Sequence, residues 1–116
     1  MDINKLTPTF AAEIIGADVS EALTDTDFAI IKDAFLAHQV IVIRDQTMSP
    51  VEQKEFSRRF GDLDSHISAK NKHKEHAELL ILSNRKVNGK WVGATGAGDE
   101  WHTDTQYTPV PSKCTM

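Results

Sequence analysis

The stretch Asp99-Glu100-Trp101-His102-Thr103-Asp104-Thr105-Gln106-Tyr107-Thr108-Pro109 decides how this chain is read. On an extended segment, residues two apart point to the same side, so His102 and Asp104 share a face. An imidazole nitrogen and a carboxylate oxygen can then reach one metal ion. Two histidines and one carboxylate on one side of an octahedron leave three open positions, the arrangement of non-haem Fe(II) oxygenases. Glu100 shares the same alternation and is a candidate hydrogen-bond partner for the pair. Trp101 falls on the opposite face, where packing into a core is its expected role. Three glycines, Gly93, Gly96 and Gly98, give a flexible approach, and Pro109 and Pro111 keep any strand here brief or at an edge.

Working back towards the N-terminus, the patterning alternates between strand and helix. Thr9 to Val19 reads as a short strand and turn, punctuated by Gly16. Thr24 caps a helix with Asp27 three residues on, and Phe28, Ile31, Phe35 and His38 make one apolar face. His38 reads as a histidine at the helix C-terminus. Gln39 to Arg44 is an expected buried strand, β-branched on both faces. Ser49-Pro50-Val51-Glu52 is a second helix start, with serine capping, proline in the first turn and glutamate completing a capping box. That helix is expected to turn Val51, Phe56 and Phe60 inward and to stop at Gly61. Leu79 to Leu82 reads as a strand and Asn88-Gly89 as a hairpin turn. Lys113 to Met116 reads as the start of another strand. Two early helices beside a β-rich continuation give an α+β class, or a β-sandwich with helices outside.

The bulk properties exclude several function classes. At 116 residues, with 40% hydrophobic and 26% charged residues, the chain has the composition of one soluble domain. A domain of this size buries about 65% of its unfolded surface. The 13 basic and 17 acidic residues give a net charge of -4, without the concentrated basic face that nucleic acid requires. The longest apolar run, Val40 to Ile43, is strand-sized, so no membrane partner is expected. The lone Cys114 cannot form an internal disulfide and suits a reducing cytoplasm, the expected location.

Taken alone, a His-x-Asp triplet is common by chance. Here it ends an ordered series: His38-Gln39-Val40, Ile43-Arg44-Asp45-Gln46, Phe60-Gly61-Asp62-Leu63, Leu82-Ser83-Asn84, Asn88-Gly89, and the Trp101 to Pro109 stretch. From about Phe10 to Met116 this series resembles the TauD/TfdA family, the taurine and 2,4-dichlorophenoxyacetate dioxygenases that use Fe(II) and 2-oxoglutarate. The resemblance implies part of a double-stranded β-helix, or jelly-roll, with flanking helices. Residues 1–116 would form the N-terminal part of such a domain, and the fold would be incomplete. It also implies that His102 and Asp104 are the first two iron ligands. The family's second histidine and its 2-oxoglutarate-binding arginine have no counterpart in this sequence, and no other catalytic residue is assigned.

The implied reaction decarboxylates 2-oxoglutarate to succinate and CO2 while O2 hydroxylates a small-molecule substrate. His66, Thr105 and Tyr107 fall on substrate-side positions of the family. A histidine suits an anionic head group such as a sulfonate or carboxylate, and an aromatic ring suits a carbon skeleton. Thr105 replaces an apolar residue and Gly98 a polar one, which speaks against taurine itself. Two alternatives remain: a catalytically inactive remnant or interaction module, which could homo-oligomerise, and a zinc site built from His102, Asp104 and one of His66, His73 or His76. In the charged segment around them, those three histidines read as exposed loop residues.

Overall fold

A computed structural model describes residues 1–65, 71–96 and 98–116. The chain divides into two compact units, Met1–Gly61 and Asp62–Met116.

In the first unit, β1 (Asp2–Lys5), β2 (Ala12–Ile15) and β3 (Ile41–Val42) form a sheet in the order β1-β2-β3. β1 and β2 are antiparallel, with Asp2 opposite Ile15 and Lys5 opposite Ala12. β2 and β3 are parallel, with Ala12 opposite Ile41. A parallel pair needs a crossover connection, which α1 (Asp25–His38) supplies. β1 carries no sequence signal because all four of its residues are exposed and its pairing is through the backbone.

α1 begins as its sequence dictates. Thr24 adopts an extended conformation, and its hydroxyl accepts the Asp27 N–H at 3.1 Å. The helix buries Phe28, Ile31 and Ala34. It ends on Gln39, whose φ of 62° lies in the left-handed region usually left to glycine or asparagine. The Gln39 N–H bonds the Phe35 carbonyl at 2.8 Å, and its side-chain amide donates to the Ala37 carbonyl at 3.2 Å. A side chain thus satisfies helix-end carbonyls that would otherwise lack partners.

α2 (Pro50–Arg58) has the full capping box. The Ser49 N–H donates to Glu52 Oε2 at 2.6 Å, and the Glu52 N–H donates to Ser49 Oγ at 3.3 Å. Only Phe56 is fully buried on this helix; Val51 is half-exposed rather than inward. The helix stops three residues before Gly61, as Arg59 and Phe60 tighten the last turn by bonding back to Phe56 and Ser57.

The core is one cluster of Ile14, Val19, Phe28, Ile31, Ala34 and Phe56, with Ile41, Ile43 and Phe60 packed against it. Phe28 meets Phe60 edge-on at 4.9 Å and Phe56 at 6.4 Å. The Arg59 guanidinium covers the Phe28 ring at 4.4 Å while bonding Asp25 at 2.8 Å. β3 is shorter than the expected Gln39–Arg44 strand and only half-buried, because β2 pairs with it on one side alone. Gln46 closes the turn before α1: its Oε1 accepts the Val19 N–H at 2.8 Å, and its Nε2 donates to the Ala17 carbonyl at 3.1 Å.

The capping box makes this unit acid-sensitive. The Ser49 N–H, and after it the Ser49 hydroxyl, hold the Glu52 carboxyl below its usual range. The Ser20 hydroxyl does the same for Asp18. A depressed carboxyl contributes stability that is present above its unfolded value and is lost as pH falls through the folded value. Glu52→Gln is therefore expected to lower the urea midpoint at neutral pH and to converge with the wild type in acid. Ser49→Ala removes the hydroxyl cap and is expected to cost about 1 kcal/mol at neutral pH.

In the second unit, β4 (Lys86–Val87) and β5 (Lys90–Trp91) form an antiparallel hairpin. Its turn residues Asn88 and Gly89 both have positive φ, 50° and 76°. That is the two-residue turn whose twist matches the strands it joins. The expected Leu79–Leu82 strand is present only as single bridges, Lys72 with Leu80 and Leu82 with Ala94. Gly93 lies beside the second bridge, where an added Cβ would stand 2.3 Å from the Ile81 carbonyl oxygen. Lys113 to Met116 pairs with no strand among the described residues, so the strand expected there is absent. No helix among the described residues is long and apolar enough to cross a membrane.

Candidate metal centre

His102 lies in an irregular stretch that pairs with no strand among the described residues, and Asp104 opens a turn that runs to Tyr107. The expected strand is thus replaced by an irregular segment, yet the two side chains still converge. His102 Nε2 lies 3.2 Å from Asp104 Oδ1, with both side chains about half-exposed. The other ring nitrogen, Nδ1, lies 2.7 Å from the Glu100 carbonyl oxygen. Glu100 therefore supports the histidine through its backbone rather than its side chain. Trp101, expected in the core, is 106% exposed, because among the described residues the segment pairs with no second strand that could cover it.

This donor set fits a divalent transition metal. A carbonyl facing Nδ1 keeps the proton on that nitrogen and leaves Nε2 as the metal-binding atom, the usual support for a ligating histidine. A carboxylate oxygen already stands on the same side. Before a metal enters, the Glu100 carbonyl raises the His102 pKa above its ordinary value; desolvation opposes it, and the Asp104 carboxylate adds a weaker upward push. The sign matters for binding: a proton on Nε2 competes with the metal. Among the described residues, no group of three His, Cys, Asp or Glu side chains is gathered to hold a metal.

The other sequence-expected residues are distributed around this pair. Thr105 sits at φ 53° directly after Asp104. Its hydroxyl accepts the Ser112 N–H at 2.7 Å, and its carbonyl accepts the Thr108 N–H at 2.9 Å, so it braces the loop internally. Tyr107 lies in the same turn with its ring largely exposed. His66 lies outside the described residues. The His73 and His76 rings lie 4.9 Å apart, tilted by 36°, and both residues are half-buried rather than fully exposed. Sequence patterning does not reveal Thr115, whose hydroxyl donates to Asp104 Oδ2 at 2.6 Å. Pro109 and Pro111 mark a turn between them, but nothing in the spacing says which residue the turn returns.

Comparison with known proteins defines the family. Residues 2–116 match the family model "Taurine catabolism dioxygenase TauD, TfdA family", and the chain belongs to that family. It is 30% identical to the alpha-ketoglutarate-dependent 2,4-dichlorophenoxyacetate dioxygenase of Cupriavidus pinatubonensis, over 97% of this chain and 43% of that protein. It is 34% identical to pentalenolactone F synthase of Streptomyces arenae, over 88% of this chain and 35% of that enzyme. Among solved structures, a candidate alpha-ketoglutarate-dependent taurine dioxygenase from Burkholderia xenovorans superposes with a TM-score of 0.63 at 26% identity, covering 66% of this chain and 27% of that one. The chain thus spans about two fifths of the length of the curated relatives it matches.

Proposed function

We propose that this chain contributes the first two iron ligands, His102 and Asp104, of an Fe(II)- and 2-oxoglutarate-dependent dioxygenase. The observation that carries this reading is the pairing of His102 Nε2 with Asp104 Oδ1 at 3.2 Å, with Nδ1 held by the Glu100 carbonyl. The chain is read as the N-terminal part of the family's domain, its two helices flanking the start of a jelly-roll. The greater length of the relatives supports that assignment. The cytoplasm is the proposed location, a reading that the free Cys114 supports.

When bound, iron and 2-oxoglutarate would supply the oxidation, coupling release of succinate and CO2 to hydroxylation of the substrate. The chain's residues would do the positioning. His102 offers a nitrogen whose tautomer is fixed, and Asp104 offers a charge that partly neutralises the cation. The turn after Asp104 presents Tyr107, whose ring suits the carbon skeleton of a small substrate. His66 is the proposed partner of an anionic head group, a sulfonate or carboxylate. The 2,4-dichlorophenoxyacetate relative favours the carboxylate.

The test is succinate formation from 2-oxoglutarate by the full chain with Fe(II), using 2,4-dichlorophenoxyacetate and taurine as probes. Fe(II)-dependent succinate, greater with the phenoxyacetate, is expected from a chain that also carries the family's second histidine and arginine, and none from residues 1–116 alone. Only two ligands converge among the described residues, and this favours a second reading, a metal-binding module without turnover. Metal binding without succinate in that longer chain would select that second reading.

A further inference from the structure

The two carboxylate oxygens of Asp104 face different partners. Oδ1 stands 3.2 Å from His102 Nε2, while Oδ2 accepts the Thr115 hydroxyl at 2.6 Å. We propose that Thr115 is a positioning residue that holds Asp104 as a one-oxygen metal ligand, an inference that rests on the metal-pair reading above.

An aspartate can bind a metal through one oxygen or both. A hydroxyl proton on Oδ2 occupies the oxygen that two-oxygen binding would require. It also fixes the rotation of the carboxylate, so that Oδ1 stays on the histidine side. The 2.6 Å separation is that of a charge-assisted O–H···O⁻ bond. Thr115 is exposed, so water competes for this bond, and the loop between the partners has to keep the hydroxyl in place.

That loop is braced. The Ser112 N–H donates to Thr105 Oγ1 at 2.7 Å, and the Thr105 hydroxyl donates to Ser112 Oγ at 3.1 Å. The Ser112 hydroxyl donates onward to Asp64 Oδ2 at 2.8 Å. The Thr108 hydroxyl is shared between the Thr105 and Val110 carbonyls, at 2.7 and 2.9 Å. These bonds fold the segment after Asp104 back on itself, so that Thr115 returns to the carboxylate. Pro109 and Pro111 stiffen the return by fixing their own φ.

The test compares Mn(II) affinity, read from loss of the free-ion electron paramagnetic resonance signal, for wild type, Thr115→Val, Thr115→Ser and Asp104→Ala. Loss of a partner that supports a metal ligand costs about 10–100-fold in affinity, and that is the fall expected for Thr115→Val. Thr115→Ser is expected to restore binding, and thermal midpoints are expected to stay together. Infrared spectra of Mn(II)-loaded protein with isotope-labelled aspartate give a second readout. The wide splitting of carboxylate stretches that marks one-oxygen binding is expected to narrow in Thr115→Val. Unchanged affinity and splitting in Thr115→Val, while Asp104→Ala loses the metal, would overturn this inference and leave the metal pair standing. Equal losses in Thr115→Val and Thr115→Ser would also overturn it. Full binding by Asp104→Ala would remove the metal pair and this inference together.

Discussion

Phe28→Ala is expected to destabilise the Met1–Gly61 unit by about 3–5 kcal/mol, the cost of truncating a buried aromatic ring. Phe28 is 7% exposed and lies at the centre of the core. It meets two other rings, Phe56 and Phe60, and carries the Arg59 guanidinium on its face. Alanine would leave a cavity that neither helix can close, since both are pinned at their N-termini by caps. Whole domains are stable by only about 5–15 kcal/mol, and small ones lie at the low end. The variant should therefore be largely unfolded at low urea, read from circular dichroism. Leu36→Ala is the control. Leu36 is on the same helix but 64% exposed, and its replacement is expected to fall within about 0.5 kcal/mol of wild type. Equal midpoints for the two variants would show that the phenylalanine cluster is not what holds α1.

His102→Ala is expected to abolish measurable Mn(II) or Fe(II) binding by the chain. Removing a supporting partner already costs about 10–100-fold, and removing a ligand costs more. Two protein ligands bind weakly to begin with, so the loss of one leaves a single surface carboxylate. Half of the imidazole ring is solvent-exposed, so the substitution leaves no buried cavity and should not shift the unfolding transition. Anaerobic titration beside a thermal scan separates the two effects. Retained binding with an intact fold would mean that the metal sits elsewhere, and His73 with His76, their ring centres 4.9 Å apart, would be the next pair to replace.

The helices were legible because their signals are local. Thr24, Ser49, Pro50 and Glu52 act within one turn, and each does in the structure what its chemistry implies. Asn88-Gly89 is legible for the same reason, since the turn demands positive φ at both positions. The strands were less so. β1 has no apolar side to betray it, and Leu79 to Leu82 has strand composition but only single bridges to pair with. Trp101 shows the limit for the site. Alternation predicts a covered face for it, but which face is covered depends on neighbours that a local pattern does not contain, and the ring is exposed. Asp104 and His102 were found because two residues of spacing suffice to bring them together. Thr115 was not, because its approach depends on a loop closed by Thr105, Ser112 and Asp64.

The Asn88-Gly89 hairpin also bears on the order in which the second unit assembles. Joining Leu82 to Ala94 directly means closing a loop through every residue between them. With β4 and β5 already zipped, most of that loop is closed, and the remaining entropic cost is that of two short arms. A turn preset by two positive φ angles forms from neighbouring residues alone, on a scale of roughly 1–10 μs. The bridge beside Gly93 then follows as a nearly local event. The sequence separation that usually slows β pairing is thus removed in advance by two adjacent residues.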